Sequence, residues 1–293
     1  MRASVILLVA LAACSKKEAP RESPAAPSAT AASKRARRGG TDVTFCVVSD
    51  THFGYGGMEE QNARLASRVS AIAGTAWPAP ESGAIAPPRG LLVTGDLTEW
   101  GREEEWRPFV ATYGTDGGDG RLRIPVFEVI GNHDKVHGPW VGDQVAARHG
   151  GRNYAWSWDD VRFVALGEAP DDEGLAFLAR ELEGLALDVP VVLYFHLAIL
   201  GPFSTGHWFG DGPYKDLLLD TIGRHSIAAI FHGHHHATGH YQWRGIDVFK
   251  PGAVKNGAHT FAVVRITDDR IVVAERDWDS DAWSGAPFSR ALR

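Results

Sequence analysis

Cysteine is scarce in this sequence. The 293 residues contain two, Cys14 and Cys46, too few for a disulfide-stapled mini-domain or for a zinc module built on four cysteines. Basic side chains are also few over most of the chain: residues 41–293 carry 22 basic and 34 acidic residues, a formal charge of −12. Because proteins attract nucleic acid mainly through positive surface, this balance argues against nucleic acid as a partner.

The apolar run that opens the sequence is short. It lies within residues 1–13, whereas a membrane-spanning helix needs about 20 apolar residues. A run of this length after one positive charge is typical of a secretory signal. It ends in Leu11-Ala12-Ala13-Cys14, which resembles the bacterial lipobox. That resemblance implies a lipoprotein signal peptide over residues 1–13 and membrane attachment through a lipidated Cys14.

An ordinary signal peptide that happens to contain a cysteine is the alternative interpretation of this segment. Ser15 in place of aspartate after the cysteine favours the outer membrane over the inner one. The expected location is therefore that of an exported bacterial lipoprotein, facing the periplasm or the cell surface. Residues 14–40, rich in alanine, proline and serine, are expected to form a disordered tether because they lack apolar periodicity.

From residue 41 onward, the pattern alternates between apolar strands and amphipathic helices, which predicts a layered α/β domain over residues 41–293. Helices are expected over residues 58–73, 103–113, 173–187 and 215–224, and the last four strands are expected to be antiparallel. Five of the apolar strands end in a short polar motif. Such motifs gather at the carboxyl ends of strands in open α/β sheets, so we expect them to lie at one edge.

The five motifs supply oxygen and imidazole ligands and no thiolate. In chain order they are Asp50-Thr51-His52, Gly95-Asp96, Gly131-Asn132-His133-Asp134, His196 and Gly233-His234-His235-His236. Such ligands suit divalent first-row metals such as Mn, Fe, Zn, Co or Ni. In an extended chain, residues i and i+2 point the same way, so Asp50 and His52 are expected to reach one ion. A glycine before a ligand lets the chain turn sharply and approach the ion.

Together, these motifs resemble the five-block signature of the calcineurin-like metallophosphoesterase superfamily, over about residues 43–275. The resemblance implies a four-layer α/β/β/α sandwich with two mixed β-sheets and a site for two divalent metal ions. By motif position, Asp50, His52 and His236 would hold the first ion. Asn132, His196 and His234 would hold the second, and Asp96 would bridge both.

The resemblance also implies a reaction, the hydrolysis of a phosphoester by in-line attack of a hydroxide that bridges the two metals. His133 would not bind metal but would assist the leaving group. Two carboxylates are candidates for orienting the ring of His133, namely Glu99 and Asp134, and the backbone is a third possibility. Asp134 or the backbone is favoured, because Glu99 could equally be a solvated residue near a helix N-terminus.

The Gly95-Asp96-Leu97-Thr98 block looks most like the cyclic-nucleotide-phosphodiesterase-like branch of the superfamily. A phosphodiesterase is therefore favoured over a phosphomonoesterase, with a small phosphoester as the substrate. The alternative is a catalytically silent, metal-binding scaffold lipoprotein on the same fold. Tyr55, His207 and Trp208, in glycine-rich loops after the first and fourth motifs, are candidates for walls of the substrate pocket. No partner helix or zipper is evident, which predicts a monomer.

Overall fold

The computed structural model describes residues 39–205, 209 and 213–292 of the chain. Two β-sheets form the centre of the fold. The seven-stranded sheet has the order β12-β11-β10-β1-β2-β3, with β13 paired to β11. Its strands are β1 (Asp42–Val48), β2 (Leu91–Val93), β3 (Val126–Glu128), β10 (Thr260–Thr267), β11 (Arg270–Asp277), β12 (Ala282–Trp283) and β13 (Phe288–Ala291).

The six-stranded sheet has the order β4-β5-β6-β7-β9-β8. Its strands are β4 (Asn153–Trp158), β5 (Val161–Leu166), β6 (Val191–Tyr194), β7 (Ile227–Phe231), β8 (Thr238–Trp243) and β9 (Ile246–Pro251). Five α-helices accompany the two sheets in the described residues: α1 (Met58–Ser70), α2 (Glu103–Tyr113), α3 (Trp140–His149), α4 (Asp172–Leu182) and α5 (Tyr214–Ile222).

The alternation of side chains in β1 separates the layers. Val43, Phe45 and Val47 pack in a core with residues of the six-stranded sheet, such as Phe163 and Phe231. Cys46 and Val48, which point the other way, pack in a second core with the apolar faces of α1, α2 and α3. This two-residue period is what a strand buried on both faces requires.

A third core lies on the outer face of the six-stranded sheet. There Leu175, Leu178 and Leu182 of α4 pack with Leu218 and Ile222 of α5 against strand residues. The leucines of α4 follow the three- and four-residue spacing of one helical face. Helices outside two facing sheets make four layers, so the predicted α/β/β/α sandwich with two mixed sheets is confirmed.

The structure departs from the sequence-based expectation in several elements. Helices α1, α4 and α5 end two to five residues earlier than expected, and strands β12 and β13 were not expected. Helix α3 was not expected, because few apolar residues mark its buried face and Gly138-Pro139 just before it is typical of a turn. The last strands are not all antiparallel neighbours. Strand β9 pairs in parallel with β7, in the six-stranded sheet, whereas β10 and β11 pair in the seven-stranded one.

Parallel pairing places the motifs at one edge of each sheet. β1, β2 and β3 are parallel neighbours, and so are β6 and β7, so the loops that follow them leave at their carboxyl ends. Each of these five loops contains one of the polar motifs within its first residues. Among the described residues, none of the helices combines the length and the apolar character needed to cross a membrane.

Candidate metal centre

All seven side chains expected to bind metal lie together, in the loops that follow β1, β2, β3, β6 and β7. One group consists of Asp50, His52, Asp96 and His236, whose candidate ligand atoms are all within 4.8 Å of one another. We call it the first half-site. Its closest contacts join Nε2 of His236 to Oδ1 of Asp50 at 3.2 Å and to Nε2 of His52 at 3.3 Å.

The second half-site consists of Asp96, His196, His234 and Asn132. The first three again have ligand atoms within 4.8 Å of one another. Nε2 of His196 lies 3.1 Å from Oδ1 of Asn132, 3.2 Å from Nδ1 of His234 and 3.3 Å from Oδ2 of Asp96. Asp96 therefore belongs to both half-sites and lies between them.

Five of the seven candidate ligands have a left-handed, not extended, backbone. Asp50, His52 and Asp96 have φ angles of 53°, 42° and 49°, and His234 and His236 have 70° and 49°. The expectation that Asp50 and His52 share one side of an extended chain is therefore wrong. Left-handed backbone is costly for residues with a Cβ, by roughly 1–3 kcal/mol each, and it persists where the surrounding structure holds it. Such clusters are typical of functional sites.

Glycines before the ligands allow close contacts within the site. A Cβ on Gly131 would lie 2.1 Å from Oδ1 of Asp96, and one on Gly233 would lie 2.8 Å from Oδ2 of Asp50. Gly95 combines a φ of +98° with a hypothetical Cβ only 2.6 Å from Nδ1 of His196. Close approach is thus the role of all three glycines, whereas the sharp left-handed turn is needed only at Gly95.

Hydrogen bonds fix the ring nitrogens of two ligands. Nδ1 of His52 lies 2.7 Å from a carboxylate oxygen of Glu99, and Nδ1 of His196 lies 2.8 Å from the carbonyl oxygen of Thr94. Both oxygens accept, so both Nδ1 atoms donate. Nε2 of His196 then faces oxygens of Asn132 and Asp96, and Nε2 of His52 faces an oxygen of Asp96 at 3.5 Å. A proton or a metal cation between these atoms makes the arrangement favourable. The ligand set therefore fits divalent metal ions of the first transition row.

The electrostatics of the site also favour positive charge. Burial raises the pKa of Asp96, but the neighbouring His196 and His52 outweigh burial and hold that pKa well below its usual range. Burial lowers the pKa of His196, but the Asp96 carboxylate outweighs it and raises the pKa to about 10. A proton or a metal cation at His196 is thus stabilised by the same carboxylate.

His133 lies beside the first half-site, and with His52 and Glu99 it forms a third group whose candidate ligand atoms are within 4.8 Å of one another. Its ring meets that of His52 edge-on, with centroids 4.7 Å apart. Its Nδ1 donates to the backbone carbonyl oxygen of Glu99 at 2.8 Å, and its backbone N–H donates to Oδ1 of Asp96 at 2.9 Å. The ring is partly exposed, and with Nδ1 engaged, Nε2 is the nitrogen that can exchange a proton.

The carboxylate of Asp134 is directed away from this task. It accepts hydrogen bonds from the backbone N–H groups of Leu97, Thr98 and Gly131, and from the Thr98 hydroxyl at 2.7 Å. Burial, with the charge of Asp96, raises its pKa to about 7. Asp134 thus joins the second motif loop to the third. Of the two orienting groups favoured from the sequence, the contacts agree with the backbone and not with Asp134.

Glu99 is buried rather than solvated, with 6% of its side chain exposed. Its Oε2 accepts from His52 and is 3.9 Å from Nδ1 of His133. Burial raises its pKa, but hydrogen bonds from His52 and Lys255 outweigh burial and lower the pKa to about 2. Lys255 was missed in the sequence, because it follows the last motif by 19 residues and no local pattern marks it.

Comparison with known proteins identifies the family. The family model described as calcineurin-like phosphoesterase matches residues 43–238, more than half of the chain. The chain belongs to the calcineurin-like phosphoesterase family. The resemblance to this family, expected from the five motifs, is thereby confirmed. Family membership also supports the expected class of enzyme, a phosphoester hydrolase.

One curated relative is a probable cyclic nucleotide phosphodiesterase of Rhodopseudomonas palustris. It is 28% identical over 265 residues, which cover 79% of this chain and 91% of the relative. Two solved structures share the fold at 11% identity. One is the purple acid phosphatase PPD1 of yellow lupin, with a TM-score of 0.58; the match covers 88% of this chain and 55% of PPD1. The other is GAP50, the anchor in the inner membrane complex of Plasmodium, with a TM-score of 0.56; the match covers 86% of this chain and 89% of GAP50.

Two aromatic residues border the centre of this phosphoesterase among the described residues. Tyr55, expected from the sequence, is 44% exposed and lies against Lys255. Phe203, in the loop after His196, is 58% exposed, and its ring centroid is 5.6 Å from that of the His234 ring. The other expected pocket residues, His207 and Trp208, lie outside the described residues, as does the expected lipidation site at Cys14.

Proposed function

We propose that this protein hydrolyses phosphoesters with the help of two divalent cations, one at each half-site, and that it prefers phosphodiesters to monoesters. The observation that carries the proposal is the arrangement of seven nitrogen and oxygen ligands around a shared carboxylate, that of Asp96. Asp50, His52 and His236 would hold one ion, and Asn132, His196 and His234 would hold the other. Mn, Fe, Zn, Co and Ni all suit these ligands.

When bound, two such ions supply Lewis acidity, which activates water near neutral pH and offsets the charge that develops on the phosphoryl oxygens. The protein's own part is positioning. Asp96 spans the two half-sites, and the left-handed loops hold the imidazole nitrogens towards it. Glycines without side chains leave the loops close enough for this arrangement.

His133 is placed to serve the leaving group. The Glu99 carbonyl oxygen accepts from Nδ1 and fixes the ring. To act as the acid, the ring would be the imidazolium, protonated at both nitrogens. Nε2–H would pass its proton to the departing oxygen, leaving the neutral ring that is protonated at Nδ1. Because the ring is next to His52 but is not one of the seven ligands proposed here, it would act without displacing a ligand. A positioned acid of this kind contributes about 10²–10⁴-fold to the rate.

The preference for diesters draws its support from the curated relative. That protein's description, a probable cyclic nucleotide phosphodiesterase, applies to a sequence aligned over 79% of this chain. The exposed aromatic rings of Tyr55 and Phe203 are consistent with a substrate that carries a base or another apolar group, since such rings stack on planar or apolar surfaces.

The deciding experiment compares initial rates on p-nitrophenyl phosphate and on its bis-ester. The protein is stripped of metal, reloaded with Mn²⁺ and measured beside Asp96→Asn. Faster cleavage of the bis-ester, abolished in the variant, supports a phosphodiesterase. Faster cleavage of the monoester overturns the diester preference. Metal binding without turnover on either ester, or on 2′,3′- and 3′,5′-cyclic nucleotides, would favour the silent scaffold instead.

Export and membrane attachment form a separate part of the proposal. The signal-like residues 1–13 and the lipobox-like residues around Cys14 support an exported lipoprotein, with Ser15 favouring the outer membrane. Expression in a Gram-negative host with labelled palmitate tests it. Label in the protein that disappears with Cys14→Ala, and partition into the membrane fraction, are the expected results. A soluble periplasmic protein without label would indicate the ordinary signal peptide.

A further inference from the structure

The backbone of Lys255 is hydrogen-bonded to the first motif loop, beside the first half-site. It lies in the loop between β9 and β10, and its N–H donates to the carbonyl oxygen of Asp50 at 3.1 Å. The N–H of Val254 approaches the same oxygen at 3.2 Å. The lysine therefore has a fixed origin next to a ligand of the first half-site, although 205 positions separate it from Asp50 in the sequence.

The side chain of Lys255 ends on the carboxylate of Glu99. Its Nζ lies 2.8 Å from Oε1 and 2.7 Å from Oε2. The ring of Tyr55 covers the ammonium group, with 4.5 Å between Nζ and the ring centroid. Only 12% of the lysine side chain and 6% of the glutamate side chain are exposed, so this ion pair is largely removed from water.

Glu99 passes the effect of the lysine to His52. Its Oε2 accepts from Nδ1 of His52 at 2.7 Å, while its distance to Nδ1 of His133 is 3.9 Å. A histidine that binds metal through one nitrogen usually donates its other N–H to such an acceptor, and a carboxylate there raises the basicity of the ligand. The carboxylate thus serves the metal-facing ring, and the carbonyl serves His133.

We propose that Lys255 and Glu99 are positioning residues for the first half-site. Glu99 fixes the tautomer and angle of His52, and Lys255 fixes Glu99 and balances its charge. Without the ammonium group, the buried carboxylate would carry an uncompensated charge and would be free to turn towards His133. The inference rests on the proposed function in one respect only, that the first half-site binds a cation.

The test measures metal binding rather than turnover. Mn²⁺ is titrated calorimetrically into the stripped full-length protein and into Lys255→Met, Lys255→Arg and Glu99→Ala. Lys215→Met, on helix α5, is the matched control. Removing groups that orient a metal ligand typically costs 10–100-fold in affinity. We expect a loss of this size at one of two binding steps in Lys255→Met and Glu99→Ala, with recovery in Lys255→Arg and no change in Lys215→Met.

A second readout needs no metal. In ¹⁵N-labelled, ion-free protein, the Nδ1 proton of His52 should give a downfield signal that exchanges slowly with water. We expect this signal to vanish in Glu99→Ala and to exchange faster in Lys255→Met, with thermal unfolding confirming that each variant is folded. Unchanged exchange and unchanged Mn²⁺ affinity in Lys255→Met would overturn the inference while leaving the proposed function intact.

The proposed function can also fail while the inference about Lys255 is still tested. If the wild-type protein binds no Mn²⁺, Co²⁺ or Zn²⁺, the proposed function fails. The exchange measurement on His52 still decides the inference about Lys255, because it reports the hydrogen bond itself. Rescue by Lys255→Arg in that measurement supports the positioning role, since arginine retains the charge and can bond both oxygens of Glu99.

Discussion

The two half-sites of the candidate metal centre hold their histidines in different ways. In the first, Nδ1 of His52 donates to the Glu99 carboxylate, which Lys255 neutralises. In the second, Nδ1 of His196 donates to the backbone carbonyl of Thr94, at the end of β2. Side chains therefore set the orientation of one ring, and the sheet sets that of the other.

Because of this difference, substitutions can change the groups that orient His52 but not the carbonyl group that orients His196. A carboxylate and a lysine can be exchanged without altering the sheet, so the basicity and charge of the first half-site can change by substitution. The carbonyl of Thr94 cannot be removed by substitution, and Gly95 leaves no room for a side chain next to His196. Four variants test how independent the two half-sites are.

The largest effect is expected from Asp96→Asn, which changes both half-sites at once. Loss of the shared negative charge removes several kcal/mol of metal-dependent stabilisation, and each 1.4 kcal/mol is tenfold in rate. We expect kcat to fall by at least about 1,000-fold, and both metal-binding steps to weaken in calorimetry. Weakening of a single step would show that Asp96 does not serve both half-sites.

His133→Ala should affect neither half-site yet still slow the reaction. We expect kcat to fall by about 10²–10⁴-fold, the usual contribution of a positioned acid, with both Mn²⁺ affinities within error of wild type. The loss should grow with the pKa of the leaving alcohol, measured with a series of aryl and alkyl esters. Loss of metal binding would instead make His133 a ligand.

Gly95→Ala should damage the second half-site alone. The new Cβ would lie 2.6 Å from Nδ1 of His196, at a φ of +98°. Overpacking of this kind costs about 1–3 kcal/mol of stability, and we expect one metal-binding step to weaken while the other is kept. Gly56→Ala is the control, because a Cβ there meets nothing within 4 Å. Equal weakening of both steps would mean that the half-sites are coupled.

Phe203→Ala should give the smallest effect, on substrate binding beside the second half-site. Aromatic stacking contributes roughly 0.5–1.5 kcal/mol beyond burial, so we expect KM to rise about 2–10-fold for a nucleotide diester with kcat little changed. The same change at Tyr55 should also disturb Lys255, which the ring covers. A fall in kcat rather than a rise in KM for Phe203→Ala would argue against a substrate-facing ring.

Much of the site could be predicted because its ligands occupy strand ends. The apolar runs of β1, β2, β3, β6 and β7 mark the strands, and parallel pairing places their carboxyl ends at one edge of each sheet. The motif pattern thus predicted that the seven candidate ligands lie at such edges. The packing of the two sheets on each other brings the two edges together. The local backbone conformation was not predicted. Asp50 and His52 are left-handed, and their N–H groups donate to the carbonyl oxygens of Gly95 and Asp96 in the next motif loop, which is a tertiary contact.

The residues missed or misjudged are those whose roles depend on distant partners. Asp134 is next to His133 in sequence, yet its carboxylate bonds the loop that contains Leu97 and Thr98. From the sequence, Glu99 could equally be a solvated residue near a helix N-terminus. In the structure it forms an ion pair with Lys255, which lies 156 residues later. No short pattern reports such pairs, because the chain between them sets neither their distance nor their angle.

By itself, the sequence determined the alternation of strands and helices, the five polar motifs and their order, and so the family of the fold. Apolar periodicity and residue chemistry are local properties, so each segment shows them without reference to the rest of the chain. Tertiary structure alone decided which nitrogen of each histidine faces the centre, which carboxylate supports which ring, and that a lysine balances the charge of one of them. Those features depend on hydrogen-bond geometry to within a few tenths of an ångström, which only the packed sheets and loops can set.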